Sequence, residues 1–281
     1  MNQQFSSLRD VYLDNSFISS DAYAQHANLC ELCRYHKSDA IFRGKDWRGN
    51  PIISLVRTSL RTRKDNLILG HSDQRTAFSR VLLLRLLGYR KIYGINVVKF
   101  GNVSRPIPIG ITNNTSESES HRLFGNNELM IKANEVEFLS QSNGLVYGCF
   151  STETNPKERL PLAKLLLKTK HTFEEPEFSI EGRIRYLENL RKYAFTACPV
   201  GNGIDTHRLW EVLYMGGIPI IKKNKILESM LEDLPFVIVR DWDQMNDDVF
   251  LQDCWNTLSN RQNYNFEKLK LEYWINLIHS S

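Results

Sequence analysis

The stretch that decides the fold is residues 193–221, which read YAFTACPVGNGIDTHRLWEVLYMGGIPII. Its residue types predict a strand, a glycine-bearing loop, a helix stopped by Gly216 and Gly217, and a second strand. A strand followed by a helix and another strand is the repeating unit of a parallel sheet covered by helices. The segment therefore predicts an α/β fold with a ligand site where its first strand ends.

The loop and the start of the following helix have the residues of a phosphate site. Gly201 and Gly203, with Asn202 between them, allow the backbone to turn and to approach a ligand closely. Asp205 or Thr206 can cap the helix that follows. The free N–H groups and the positive dipole end at a helix start favour an anionic group.

Three polar side chains of this helix can share one side. His207 and Glu211 are four residues apart, and Arg208 and Glu211 are three apart. An Arg near the helix start can neutralise a diphosphate, and a carboxylate one turn deeper can accept two hydrogen bonds from a ribose diol. The same spacing also allows an ordinary surface pair between Arg208 and Glu211, which would contribute only about 0.3 kcal/mol.

A dinucleotide dehydrogenase fits this segment less well. The loop reads G-x-G-x-x-T and lacks the third glycine of the dehydrogenase fingerprint. The next strand ends in Lys222 and Lys223, where an acidic ligand for the ribose is expected. The chain therefore departs from the dehydrogenase pattern at two positions.

The first half of the chain predicts a similar alternation. Its first forty residues read as helical, ending in a strand-like run at 38–44. A strand at 53–59 and one at 66–73 are followed by a helix at 75–89 and a strand at 91–97. This order again favours a parallel sheet.

A long loop and a connection separate the two halves. Residues 105–126 are rich in Pro, Gly, Ser and Asn, which predicts a loop, and we expect the interdomain connection near 128–142. The second half opens with a strand at 144–151 and a helix at 156–169, and it ends in an amphipathic helix. The predicted fold is α/β, with two Rossmann-like domains, 1–135 and 136–281, facing a cleft.

Composition narrows the class of function. The 281 residues are 42% hydrophobic and 24% charged, and the net charge is only +4, so we predict no nucleic-acid partner. The basic run from Arg57 to Lys64 predicts a solvated loop, with contact to an anionic acceptor or a membrane surface as the alternative. The sequence has no apolar run long enough to span a membrane and no secretory signal, and its five cysteines lack the spacing of a disulfide framework. We therefore predict a cytoplasmic protein without a transmembrane segment.

Two motifs resemble metal sites, and neither is predicted to bind a metal. His26, Cys30, Cys33 and His36 have the spacing of one face of a continuous helix, which cannot surround a tetrahedral ion. The D-x-D pattern at Asp241–Trp242–Asp243 follows the last core strand at 235–239, so its acids are interpreted as loop residues and Trp242 as a packing residue. No metal is therefore expected.

Four segments resemble one family of enzymes. Residues 198–221 closely resemble the C-terminal signature of exostosin-like glycosyltransferases, which have the two-domain GT-B architecture. NLILGHSD (66–73), RPIPIGITN (105–113) and CFSTETNPKER (149–159) resemble further segments of that family, in the family's order. The resemblance covers roughly residues 66 to 221 and is weakest in the first sixty residues.

The resemblance implies transfer of a sugar from a nucleotide donor to an acceptor hydroxyl on a glycan, a lipid-linked sugar or a protein. A UDP- or GDP-sugar is the expected donor, and no separate cofactor is expected. Glu211 would hold the donor ribose, Arg208 the diphosphate, and Arg159 would face the phosphates from a neighbouring helix start. The residues expected to shape the loop are Gly201, Gly203 and Asp205.

The chemistry of such a transfer agrees with these residues. Departure of a nucleoside diphosphate builds negative charge, which Arg side chains and helix N–H groups can stabilise without a metal. An inverting reaction also needs a base, and the candidates are Asp73 and His71 at the end of a strand. A loop-capping Asp and a structural His are the alternative for these two. The rival function is a catalytically silent module that binds a nucleotide sugar or a glycan.

Overall fold

The computed structural model describes residues 16–30, 33–37, 65–70, 73, 75–113, 118–134, 145–260 and 264–280. Within these residues, two parallel sheets are surrounded by helices. The predicted α/β class with parallel sheets is confirmed. The strand-like runs predicted at 38–44 and 53–59 lie outside the described residues.

The first sheet has four strands among the described residues, in the order β1-β2-β3-β4. Every residue of β2 is buried, as expected for a parallel strand covered on both faces. The elements of this part are β1 (Cys33–Lys37), β2 (Asn66–Gly70), β3 (Lys91–Gly94) and β4 (Ser104–Pro106), with helices α1 (Ser20–Leu29), α2 (Phe78–Leu86), α3 (Glu119–Phe124) and α4 (Asn127–Ala133).

The second sheet has five strands among the described residues, in the order β6-β5-β7-β8-β9. Its strands are β5 (Val146–Cys149), β6 (Thr172–Glu174), β7 (Phe195–Ala197), β8 (Ile218–Lys222) and β9 (Val237–Val239). Its helices are α5 (Pro156–Lys168), α6 (Ile180–Lys192), α7 (His207–Tyr214), α8 (Lys225–Leu231) and α9 (Asp248–Leu258). Strand β7, helix α7 and strand β8 form the unit that residues 193–221 predict.

Helix α10 (Leu271–His279) packs against α1, so it covers the first sheet. Its buried Trp274 and Ile278 belong to the same hydrophobic cluster as Ile68 of β2. The Asn66 side chain of β2 donates a hydrogen bond to the Ile278 carbonyl at 3.0 Å. The predicted amphipathic helix is therefore present, and its apolar side contacts residues near the other end of the described chain.

The largest hydrophobic cluster contains residues from both halves of the chain. Phe17, Ile95 and Ile109 from the first half pack in one cluster with Tyr147 and Tyr214 from the second. The Tyr214 hydroxyl joins two distant segments, since it donates to the Leu269 carbonyl at 2.7 Å and accepts from the Ile18 N–H at 3.1 Å. Packing is therefore continuous across the midpoint of the sequence.

Two predictions about the first half are wrong. The chain leaves α1 at Cys30, whose backbone is extended, and begins β1 at Cys33, so the two cysteines do not lie on one continuous helix. The predicted loop at 105–126 contains helix α3, and helix α4 begins directly after it, whereas the interdomain connection near 128–142 stays a prediction. In α4, the Asn126 side chain caps the first N–H groups and apolar residues are buried, which together outweigh the polar composition around it.

The second half contains three elements that the sequence analysis missed. Helices α8 and α9 are capped by Asn224 and Asp247, whose side chains each accept two backbone N–H groups. Strand β6 has only three residues, which is too short for a clear hydrophobic alternation. Across the described residues, no helix combines the length and the apolar character needed to cross a membrane.

Candidate functional site

A cleft of about 970 Å³ opens where strands of both sheets end. Residues after β2 and β4 line it on one side, and residues after β5, β6 and β7 line it on the other. All of the predicted ligand-binding residues and one predicted base are among its lining residues, namely Asp73, Arg159, Gly201, Asn202, Gly203, Asp205, Thr206, His207, Arg208 and Glu211. The other predicted base, His71, lies outside the described residues.

Gly201 and Gly203 of the loop lie so close to neighbouring residues that a side chain at either position would meet their atoms. A Cβ atom at Gly203 would lie 2.6 Å from the Asn96 amide nitrogen and 3.1 Å from the Asp73 carbonyl oxygen, so a side chain there would push the two halves apart. A Cβ atom at Gly201 would lie 2.8 Å from a guanidinium nitrogen of Arg159. The Gly201 N–H closes the loop by donating to the Gly203 carbonyl at 3.0 Å.

Asp205 anchors the loop and is buried. Its two carboxylate oxygens accept the Ile109 N–H at 2.7 Å and the Trp210 indole N–H at 2.8 Å. The N-cap position of α7 belongs to Thr206, whose side chain makes no capping hydrogen bond. Asp205 therefore connects the loop to the first half of the chain, and its partner Trp210 is fully buried.

The Asn96 side chain makes a second connection between the halves. Its carbonyl oxygen accepts the backbone N–H groups of Ile204 and Asp205 at 3.0 and 2.9 Å. His207 adds a third, because its Nδ1 lies 2.8 Å from the Gly110 carbonyl oxygen, which can only accept a hydrogen bond. Burial lowers the pKa of His207, so its imidazole is neutral at pH 7.

Two arginines meet beside the loop. The Arg208 guanidinium donates to the Cys149 carbonyl at 2.5 Å. The Arg159 guanidinium donates to the Val200 carbonyl at 3.0 Å and to the Ser151 carbonyl at 3.0 Å. These carbonyls lie at or just after the ends of β5 and β7, so the sheet itself fixes both positive charges at the cleft wall.

This arginine pair carries two positive charges close to one aromatic ring. Both guanidinium carbons face the Phe150 ring, at 5.9 Å for Arg159 and 5.6 Å for Arg208. Among the described residues, neither arginine forms an ion pair with a carboxylate. Burial, and then the charge of Arg208, lowers the pKa of Arg159 to about 10, which still leaves it positive at pH 7. An anion bound here would relieve the repulsion between them.

Glu211 is buried, and its partner is an arginine that the sequence analysis missed. The Arg183 guanidinium lies 2.8 Å from one carboxylate oxygen, and the Tyr186 hydroxyl donates to the other at 2.8 Å. Burial raises the pKa of Glu211, but the Arg183 charge and the two hydrogen bonds outweigh it and hold the pKa below its usual value. The alternative of a surface pair between Arg208 and Glu211 is therefore wrong.

Ligand binding by Glu211 stays a prediction. Its carboxylate has fewer acceptor positions left for a ligand than the sequence suggested, because Arg183 and Tyr186 already donate to it. Each carboxylate oxygen already accepts one hydrogen bond and can accept another. Glu211 and Tyr186 both line the cleft. Other polar lining residues that the sequence analysis missed are His121, Thr154 and Glu177.

The D-x-D motif lies away from the cleft. Asp241 precedes a short 3₁₀ helix, Trp242–Asn246, and forms a capping box with Gln244. Trp242 is buried and donates its indole N–H to Glu158 at 2.9 Å, which confirms its packing role. Neither Asp241 nor Asp243 is among the residues that line the cleft.

Comparison with known proteins adds no family assignment. No model of a protein family matches the chain, and a search of curated proteins finds no match. The resemblance to exostosin-like glycosyltransferases therefore rests on the four sequence segments and stays a hypothesis, which the geometry of the cleft can be used to test.

Proposed function

We propose that this protein is a glycosyltransferase that moves a sugar from a nucleotide-diphosphate sugar to an acceptor hydroxyl. The observation that carries the proposal is the arginine pair, Arg159 and Arg208, held at the ends of two strands by backbone carbonyls, with no ion pair to a carboxylate in the described part of the chain. Fixed positive groups beside a helix start are suited to a diphosphate. The four segments that resemble exostosin-like enzymes support the same function.

The shape of the site supports a donor of this size. A cleft of about 970 Å³ lies at the upper end of the range for small-molecule sites, which leaves room for a nucleotide sugar and part of an acceptor. Strand ends from both sheets contribute to it, as in the two-domain GT-B arrangement that we propose for the chain. A UDP- or GDP-sugar is the proposed donor, and a glycan, a lipid-linked sugar or a protein the proposed acceptor.

In the proposed reaction, an acceptor oxygen attacks the anomeric carbon of the donor sugar. The bond between that carbon and the diphosphate oxygen breaks, and its electron pair leaves with the nucleoside diphosphate. Arg159 and Arg208 stabilise the charge that builds on the diphosphate, which is the part that a divalent metal supplies in other enzymes. In an inverting reaction, the exposed carboxylate of Asp73 in the cleft would accept the acceptor proton.

The proposal is tested by thermal unfolding with UDP, GDP, ADP, CMP and dTDP, each with and without EDTA. A rise in Tm for one diphosphate that survives EDTA is the expected result. The reference in each case is a nucleotide-free sample containing the same chelator, so that any effect of EDTA on the protein alone cancels. No shift with any of the nucleotides at millimolar concentration would overturn the proposal.

Turnover separates the enzyme from its rivals. Release of the nucleoside diphosphate from the matching sugar donor, measured with and without candidate acceptors, should depend on the acceptor. Release that is equally fast without any acceptor would identify a hydrolase, and conversion of the donor into another nucleotide sugar without net release would identify an epimerase. Binding with neither release nor conversion under any condition would identify a silent binding module.

Replacing Arg208 by Ala is expected to weaken binding of the preferred nucleoside diphosphate by about 1.5 to 3 kcal/mol, the range for hydrogen bonds to charged groups. Isothermal titration calorimetry measures this directly. Arg240 is exposed and does not line the cleft, so Arg240→Ala is the matched control and should bind as the wild type does. Equal affinity in Arg208→Ala and the wild type would contradict the assignment of Arg208.

Replacing both Asp241 and Asp243 by Asn is expected to leave the nucleotide-induced rise in Tm unchanged. Both acids lie outside the cleft, and one of them caps a 3₁₀ helix. The measurement is repeated with added Mg²⁺ and Mn²⁺. A nucleotide effect that needs one of these ions in the wild type and disappears in the double variant would instead assign the metal to this motif.

A further inference from the structure

Two cysteines and two histidines meet on the first half of the molecule, away from the cleft. Cys30, Cys33 and His279 each present a ligand atom, and these three atoms all lie within 4.8 Å of one another. His26 lies beside this group, since its Nε2 lies 2.7 Å from the Nε2 of His279. None of the four lines the cleft, so the cluster belongs to a different part of the protein.

The local fold explains how the side chains of His26, Cys30 and Cys33 come close together. His26 and Cys30 are four residues apart, at the end of α1, so they lie on the same side. The chain turns at Cys30 and enters β1 at Cys33, whose N–H donates to the Cys30 carbonyl at 3.3 Å. A Cys-x-x-Cys turn between two elements places both sulfur atoms on one side, as in many structural zinc sites.

His279 reaches the same point from the other end of the described chain. It is the last residue of α10, and α10 packs against α1. Its ring meets the ring of His26 edge to face, with centroids 4.8 Å apart and planes at 82°. Cys33 is buried, Cys30 and His26 are partly buried and His279 is exposed, so an ion can enter from solvent.

We propose that Cys30, Cys33 and His279 bind one zinc ion, with His26 as the fourth ligand. Two thiolates and two imidazoles are a common ligand set for a structural zinc ion, and four protein ligands leave no open position for catalysis. Thiolate and imidazole donors also favour zinc over Mg²⁺ or Ca²⁺. The site would tie α1 and β1 to α10, joining residues that are 253 apart in sequence.

The distances suit such an ion after small side-chain movements. With Zn–S near 2.3 Å and Zn–N near 2.0 Å, donor atoms on one tetrahedral zinc lie roughly 3.3 to 3.8 Å apart. The two imidazole nitrogens, at 2.7 Å, need to separate by roughly half an ångström. The sulfur atoms and the His279 nitrogen, all within 4.8 Å, are close enough to converge on a common centre.

The test is the metal content of the full chain, purified without a polyhistidine tag and without chelator. Mass spectrometry of the metal should give about one zinc per chain in the wild type. Cys30→Ser and His279→Gln should lose it, whereas Cys254→Ser, which changes a partly buried cysteine outside the cluster, should keep it. Zinc content that is near zero in the wild type, or equal in all four proteins, would overturn the proposal.

Cobalt provides a second measurement that does not depend on the metal acquired during expression. Metal-free, reduced protein titrated with Co²⁺ should develop the intense visible bands of a tetrahedral site and the sulfur-to-cobalt charge-transfer band. His26→Gln should weaken the cobalt affinity, and unchanged affinity would exclude His26 as the fourth ligand. Circular dichroism of each variant distinguishes loss of ligands from loss of the fold. If Cys30→Ser does not fold, the exposed position of His279 leaves His279→Gln as the deciding variant.

Discussion

Replacing Glu211 by Ala is expected to lower the free energy of unfolding by about 3 to 5 kcal/mol, the cost of leaving a buried charge without its partner. The Arg183 side chain is fully buried, and two of its guanidinium nitrogens have no hydrogen-bond partner among the described residues, even in the wild type. Removing the Glu211 carboxylate would leave that charge with its hydrogen bond to the Phe124 carbonyl, at 2.9 Å. Urea denaturation followed by circular dichroism measures the change.

Two matched variants show where this loss comes from. Tyr186→Phe removes one neutral donor but leaves the ion pair in place, so it should cost less, about 1.5 to 3 kcal/mol for a hydrogen bond to a charged group. Arg183→Met together with Glu211→Leu removes both charges and should recover part of the stability lost by Glu211→Ala. A loss below 1 kcal/mol in Glu211→Ala would contradict the buried pair.

Replacing Gly110 by Ala is expected to destabilise the protein by about 2 to 6 kcal/mol, the sum of backbone strain and overpacking. Gly110 has a φ of +65°, and an added Cβ atom would lie 1.9 Å from the Ile18 carbonyl oxygen. That oxygen also accepts the Ile111 N–H at 2.8 Å, so the segment cannot move without losing a hydrogen bond. Thermal and urea unfolding both measure the effect.

Gly101 provides the control for Gly110→Ala. It also has a positive φ, +48°, but an added Cβ atom would meet nothing within 4 Å. Gly101→Ala should therefore show the backbone strain alone, about 1 kcal/mol. If the two variants lost equal stability, the contact with Ile18 would not be the cause.

The part of the site that could be predicted is the part made by one continuous segment. The alternation of apolar residues around the Gly201–Gly203 loop determines β7, α7 and β8 together. Once a loop joins a strand end to a helix start, its residues must line the carboxyl edge of the sheet. The positions of Arg208 and Glu211 beside the cleft followed from this local pattern.

The contacts between distant segments could not be predicted in the same way. Arg183 meets Glu211 from another helix, and Asn96 meets the loop from 108 residues away. The Cys-His cluster is the clearest case, because His279 has no pattern in the sequence that relates it to Cys30. A single helix over residues 26 to 36 would spread these side chains along its length. Because the chain instead leaves α1 at Cys30, the side chains of Cys30 and Cys33 lie close together.

The packing of α10 on the first sheet affects how the protein is made on the ribosome. The Ile278 carbonyl that accepts the hydrogen bond from Asn66 is synthesised 212 residues after it. At about 5 to 20 residues per second, the apolar face of the first sheet stays uncovered for roughly 10 to 40 s during translation. Molecular chaperones that bind exposed apolar strands would meet this face in every nascent chain, so expression should be sensitive to their supply.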